Sequence, residues 1–381
     1  MLVVCGWLGI ALKQTDKYLP FPAVRFAMNI QMREALAHAL NRAMLCAALL
    51  LFGFVGRVSA DDWPMVGCDA KRSGYTRERL PETLSLRWLY RPLHSPQPAW
   101  PRSDLAPYDY EADRYDSHDQ GRMPFDRAYH TVIVNDTLFF GSSADGKVYA
   151  LDALTGQERW TYFTGAPVRF APVVADGRVF VTSDDGYLYC LSTETGSLLW
   201  KRRGGPTDEM VLGNQRMVSR WPARGGPVVA DGVVYFAAGI WPTEGVFVYA
   251  LRADNGDVIW SNTESGRRHT QQPKEDSLDS GPAAQGYLVL TDTNVLVPTG
   301  RSLPAAYRLT DGQLEYFFMW ELDPAEGLIS GAGSSTTMSA GDYFFNTGRY
   351  FNAKTGVLHR KLVTVHSPVC LMVLSMVRPT A

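Results

Sequence analysis

The residues best suited to chemistry lie in the stretch that follows Trp200. Lys201 to Gly226 gathers Arg216, Arg220, Trp221 and Arg224, and Trp241 follows in an expanded turn, Ala238 to Gly245. Arginine and tryptophan together clamp an anion or stack on a planar ring. Arg301, with Gln271, Gln272 and Pro304, comes from loops further along that can join the same face. This points to a site for a partner protein or a small anionic or planar ligand. The alternative use of Trp221 and Trp241 is as plugs over the mouth of a channel. No catalytic constellation accompanies them. The histidines are scattered, and no HxxxH, HExxH, CxxC, GxSxG or P-loop pattern occurs. The carboxylates Asp208, Glu209, Asp276 and Asp279 lack metal-loop spacing. The spacing assigns no metal site and no basic stripe for nucleic acid.

The elements that must position these residues are written as a repeat. His130–Trp160 and Phe170–Trp200 align without a gap, their tryptophans 40 residues apart, and a third copy ends at Trp260. Tyr149, Tyr189 and Tyr249 each lie 11 residues before the Trp, and Gly156, Gly196 and Gly256 lie four before it. Within a copy, Asp176-Gly177, Asp185-Gly186 and Thr195-Gly196 are turns between short strands, leaving no room for a helix. A period near 40 with four short strands predicts an all-β fold, a β-propeller of four-stranded antiparallel blades. Equal offsets predict that these Trp, Tyr and Gly fill equivalent slots between blades. Weaker copies, Gly281–Tyr316 and Ala340–Arg360, bring the count to about five blades. Leu86–Tyr90 reads as a lone outer strand, and His94–Met123, with Asp104, Asp109, Asp113 and Asp116, as a solvated loop over the disc.

The outer parts of the chain read differently. Residues 1–60 carry six Lys or Arg against Asp16 and Glu34, while the whole chain carries −2. Ala43–Val55 is an uncharged apolar run of 13 residues, followed by Val58-Ser59-Ala60. A span needs about 20 residues, so 1–60 is expected to be an extension with a secretory signal peptide, and no transmembrane span is expected. Residues 61–362 are the propeller. Residues 363–381 carry no turn chemistry, so the ring is expected to be incomplete or truncated there. Cys68, Cys190 and Cys370 form no disulfide framework, and Met65–Cys68 is separated by Asp61 and Asp62 from the apolar run that a lipoprotein box would abut.

The segment Tyr149–Trp160, YALDALTGQERW, resembles the repeat of pyrroloquinoline-quinone (PQQ)-type propellers, with close variants at Tyr189–Trp200 and Tyr249–Trp260. Asp62–Met65 with Arg72–Tyr75 is similar to the mature N-terminal segment of many bacterial members. The resemblance covers about residues 61–360. It implies one of two behaviours. Quinoprotein alcohol and sugar dehydrogenases use PQQ and Ca²⁺ with an Asp base; others, such as the scaffold lipoprotein of outer-membrane β-barrel assembly, are not enzymes. The adjacent Cys-Cys pair of the alcohol dehydrogenases is missing, and Asp184-Asp185-Gly186 matches the turn Ala144-Asp145-Gly146. The sequence resembles most a third group, an uncharacterised bacterial periplasmic branch close to neither kind, and is expected to be a binding or protein-interaction module. A PQQ- and Ca²⁺-dependent oxidoreductase, or the propeller part of a longer enzyme, is the alternative.

Overall fold

The computed structural model describes residues 61–79, 82–100, 126–213, 215–270, 278–279, 281–300, 302–318, 320–323, 327–330 and 334–361. The expected leader (1–60), the acidic stretch from Asp104 to Asp116 and the tail 363–381 lie outside them.

The fold is an all-β propeller. Blade 1 is Thr131–Val134, Thr137–Gly141, Lys147–Asp152 and Glu158–Phe163; blade 2 is Val173–Ala175, Arg178–Thr182, Tyr187–Ser192 and Leu198–Arg203. Blade 3 is Gly225–Ala230, Val233–Ala238, Phe247–Arg252 and Val258–Asn262; blade 4 is Val289–Leu290, Asn294–Val297, Ala305–Arg308 and Leu314–Tyr316. Blade 5 is Met338–Ala340, Tyr343–Asn346, Arg349–Asn352 and Leu358–Lys361. Each is an antiparallel meander. The first hairpins turn through residues with positive φ, Asp176 at 48° and Gly177 at 73° in blade 2, as tight hairpins that match strand twist require. Gly286–Tyr287 departs from the repeat: it joins blade 3 as a fifth, parallel strand beside Gly225 and Gly226.

The blades dock through one recurring contact. Trp160 lies on Gly196, Trp200 on Gly256, Trp260 on Gly312, and Tyr316 takes the same place on Gly356. A Cβ on Gly196 would sit 2.5 Å from the Trp160 ring. The glycine is there because the preceding blade's indole occupies the space any side chain would need. The indole N–H of Trp160 also donates to Thr193 O at 2.9 Å, and that of Trp260 to Leu309 O at 2.8 Å. Leu86–Tyr90 forms no sheet, yet Trp88 makes the same contact with Gly156 and donates to Ala153 O at 2.9 Å. The repeat tyrosines serve the turns: Tyr149 and Tyr189 donate to Asp145 and Asp185 at 2.5 and 2.6 Å, while Tyr249 donates to Gly204 O at 2.8 Å.

The N-terminal segment runs past the first strands in order. Trp63 bridges Ile133 of blade 1, Pro64 O accepts from Val174 N of blade 2, Ala70 O from Leu290 N of blade 4 and Lys71 O from Ser339 N of blade 5. Met65 is buried in the main core cluster. Arg72, itself buried, donates to Val66 O, Pro227 O and Leu288 O. One short segment thus ties together the first strands of all five blades.

Candidate functional site

The insertion between blades 2 and 3 folds into a hairpin, Met210–Gly213 against Arg216–Ser219. It returns to the disc where Ser219 N donates to Asp184 O at 2.7 Å. The expanded turn of blade 3 becomes one turn of 3-10 helix, Pro242–Glu244. Both emerge on the face that also carries the turn of blade 2 at Asp184-Asp185-Gly186.

These elements send the arginines and tryptophans to different places. Trp221 is 6% exposed. Its ring meets Phe247 edge-on at 6.4 Å, and its N–H donates to Glu244 O at 2.7 Å, so its surface and its donor are both committed. Arg220 is exposed and reaches Glu209 at 3.1 Å and also Glu244, linking the insertion to the 3-10 turn. Exposed pairs of this kind contribute little stability. Arg216 donates to the side-chain oxygen of Gln97, at 2.7 Å from Nε. Arg301, Gln271 and Gln272 lie outside the described residues.

Arg224 belongs to a buried chain of charges. Its Nε and Nη2 each lie 3.0 Å from an oxygen of Asp184. Asp184 also takes Arg169 Nε at 2.6 Å, and Arg169 Nη1 reaches Asp126 at 2.6 Å. All four side chains are at most 4% exposed. Two guanidinium groups thus face two carboxylates out of water. Burial pulls the Asp184 carboxyl upward, but Arg224 and Arg169 more than offset this and hold it below the ordinary range. Burial lifts Asp126, and Arg169 offsets only part of it. Such a network is costly to break from one side. It pins one loop of blade 2 to the links on either side and to the segment before blade 1. Asp126 also accepts from Ala99 N at 2.6 Å, and Arg169 Nη1 donates to Gln97 O at 2.7 Å.

The segment anchored in this way delivers Trp100. Its N–H donates to Gln285 Oε1 at 3.0 Å, its ring lies 5.6 Å from the Arg224 guanidinium carbon, and it meets Trp241 edge-on at 5.9 Å. Trp100, Trp241 and Arg224, with the apolar hairpin, line a cavity of about 260 Å³. Trp241 is 49% exposed at its mouth. Of the residues that the sequence singled out, Arg224 and Trp241 therefore meet in one cavity, while Trp221 packs behind it and Arg220 and Arg216 lie in pairs outside it. A larger cavity, about 540 Å³, lies among the turns of blades 1 and 2. Its arginine, Arg159, is taken by Asp152 and Thr137.

Sequence reasoning missed Asp184, Arg169, Asp126 and Trp100. One signal was present: Asp184 stands where blade 1 has Ala144, a change from apolar to charged at a buried position. The carboxylates of this network do not fit a calcium ion, which needs six to eight oxygens, because guanidinium groups hold both. Among the described residues no group of three or more His, Cys, Asp or Glu is placed to hold a metal ion, and no helix is long and apolar enough to cross a membrane.

A family model described as Outer membrane protein assembly factor BamB matches residues 113–272 and 169–316, together more than half of the chain. No curated protein matches. Among solved structures, quinohemoprotein alcohol dehydrogenase from Comamonas testosteroni is similar at 16% identity and a TM-score of 0.53, covering 80% of this chain and 49% of that one. BamB from Moraxella catarrhalis is 18% identical with a TM-score of 0.38, over 58% and 56% of the two chains. A europium-containing methanol dehydrogenase is 15% identical with a TM-score of 0.46, over 78% and 57%. The chain spans about half the length of these structures. The first of the three carries the propeller fold.

Proposed function

The chain belongs to the family of PQQ-like propellers described as outer membrane protein assembly factor BamB, and from that premise we propose that it is an exported module that binds a partner protein in the cell envelope. Its docking surface is the face built by the insertion after blade 2, the 3-10 turn of blade 3 and the stretch Gln97–Trp100. The supporting observation is an uncovered apolar rim on a fixed base. Leu212 is 75% and Trp241 49% exposed where they line the cavity, and Met217, 54% exposed, pairs with Leu212 across the hairpin, while the ion network beneath holds the loops that present them. Contiguous apolar surface rimmed by charged residues marks interaction sites, and Arg216 and Arg220 supply that rim. Export rests on the apolar run Ala43–Val55 and the small residues Val58–Ala60.

Oxidoreductase chemistry with PQQ and calcium finds no fitting donor set at this face, since Asp126 and Asp184 are already paired.

The test mixes the purified chain with the detergent-solubilised outer-membrane β-barrel assembly complex of its source organism. The wild-type chain is expected to co-elute with the complex, and Leu212→Glu to weaken the association at least tenfold. Failure of the wild-type chain to associate overturns the proposal.

A further inference from the structure

The cavity beneath the apolar rim has a shape and a donor set that select its occupant. The polar side chains among its lining residues, Arg224, Ser219, Trp100 and Trp241, all carry donors. Arg224 commits Nε and Nη2 to Asp184, and its Nη1 has no partner among the described residues. Ser219 Oγ accepts from Trp221 N at 3.1 Å and keeps its own proton to give. No carboxylate lines the space. The charge of Arg224 is already matched, because the network sets two guanidinium groups against two carboxylates. What it offers the cavity is one N–H rather than an unbalanced cation, and this favours a neutral acceptor over a carboxylate or phosphate. The walls are the rings of Trp100 and Trp241 with aliphatic side chains of the hairpin, an environment for an aromatic ring.

The surroundings of the mouth favour a protein side chain over a free small molecule. The cavity, about 260 Å³, lies at the small end of small-molecule sites, which run from about 300 to 1,000 Å³, and has room for a single side chain. Leu212 and Trp241 line it and are still largely exposed, apolar surface that a small molecule filling the cavity leaves wet and a protein segment covers. Interface energy concentrates in such pockets, where one buried aromatic anchor sits inside a ring of contacts that exclude water.

We infer that this cavity receives a tyrosine side chain of the partner protein, with its ring against Trp100 and Trp241 and its hydroxyl oxygen accepting from Arg224 Nη1. The inference rests on the interaction-module reading and deepens it.

The probes are an acetylated, amidated peptide Gly-Ser-Tyr-Ser-Gly, its Phe and Ala counterparts, and p-cresol. Binding is read from indole fluorescence and from saturation-transfer NMR on the intact chain. The Tyr peptide is expected to saturate, the Phe peptide to bind at least fivefold more weakly and the Ala peptide not to saturate. Trp241→Ala removes a half-exposed ring and is expected to weaken the Tyr peptide at least tenfold with the fold retained. Equal binding of the Phe peptide, no effect of Trp241→Ala, no saturation by the Tyr peptide, or p-cresol binding as tightly as the peptide each overturns the inference. If the Tyr peptide fails while association with the assembly complex remains sensitive to Leu212→Glu, the anchor is wrong and the docking surface stands. If the wild-type chain also fails to associate, both are wrong.

Discussion

The indole of Trp88 lies on Gly156 as that of Trp160 lies on Gly196, although Trp88 belongs to no sheet. Its N–H reaches Ala153 O at 2.9 Å, the distance from the Trp160 N–H to Thr193 O. The ring-on-glycine contact is therefore a self-contained docking unit. It pairs one aromatic ring with one glycine of positive φ, a carbonyl acceptor joins it at Trp88, Trp160 and Trp260, and it does not need a complete blade behind the ring.

The contact can be separated from backbone strain by two substitutions. Gly196 has φ +67° and Gly232 has φ +73°, but a Cβ on Gly196 meets Trp160 at 2.5 Å, whereas Gly232 has nothing within 4 Å. Gly232→Ala is expected to cost about 1–2 kcal/mol, the strain of a left-handed alanine. Gly196→Ala adds overpacking against the ring and is expected to cost about 2–4 kcal/mol. Urea unfolding of both variants checks this. Equal costs would show that the indole yields freely.

Trp200 breaks the hydrogen-bond pattern of its counterparts. Its N–H is buried without a partner, whereas that of Trp160 is bonded. Trp160→Phe loses a bond and strands Thr193 O; Trp200→Phe removes an unsatisfied donor. The loss of ring surface is similar, so Trp160→Phe is expected to be the more destabilising by about 1–3 kcal/mol. The paired unfolding free energies test the difference, and a reversed order refutes it.

The docking unit was readable in the sequence because the same slot is filled at the same offset in every copy. Trp160, Trp200 and Trp260 with Gly196 and Gly256 record one geometry several times, so the period alone exposes it. The face with the cavity has no such record. Asp184 occupies a turn position matched by Ala144, and its partners Arg169 and Arg224 come from links on either side whose lengths differ. Nothing in their spacing shows that the three meet. Trp221 and Trp241 look alike as loop tryptophans, yet one is packed on Phe247 and the other stands half in solvent. Burial, which separates them, depends on contacts between blades and not on local pattern.

The ion network predicts an acid-sensitive term. Asp184 titrates below its ordinary range in the folded chain, and an unfolded Asp titrates near about 3.9. Its stabilisation is fully present above that value and is lost as pH falls through the lower folded value. Asp126, raised by burial, runs the other way and favours the folded state below its ordinary value. Asp184→Asn leaves Arg169 and Arg224 under-compensated in the interior and is expected to cost about 3–5 kcal/mol at neutral pH. It should also flatten the fall in stability below pH about 4. Unfolding free energies of wild type and variant across the acid range decide it; an unchanged acid limb assigns that limb to other carboxylates.

Arg72 tests whether a fork, rather than a charge, holds the centre. Its three nitrogens donate to Leu288 O at 3.1 Å, Val66 O at 2.8 Å and Pro227 O at 2.8 Å, and its guanidinium carbon lies 5.5 Å from the centre of the Tyr287 ring. Those carbonyls belong to the N-terminal segment, blade 3 and the strand entering blade 4, so a single planar group joins three parts of the fold. Lysine keeps the charge, but its compact ammonium cannot reproduce the planar fork or its stacking on Tyr287. Arg72→Lys is expected to cost about 3–5 kcal/mol, because it buries a cation with too few acceptors. Arg72→Met removes the cation and leaves the carbonyls unpaired, and it is expected to cost no more than Arg72→Lys. Urea midpoints of the two variants rank them. If lysine recovers most of the wild-type stability, the charge alone is what this position requires, and the three-way fork is incidental to the fold.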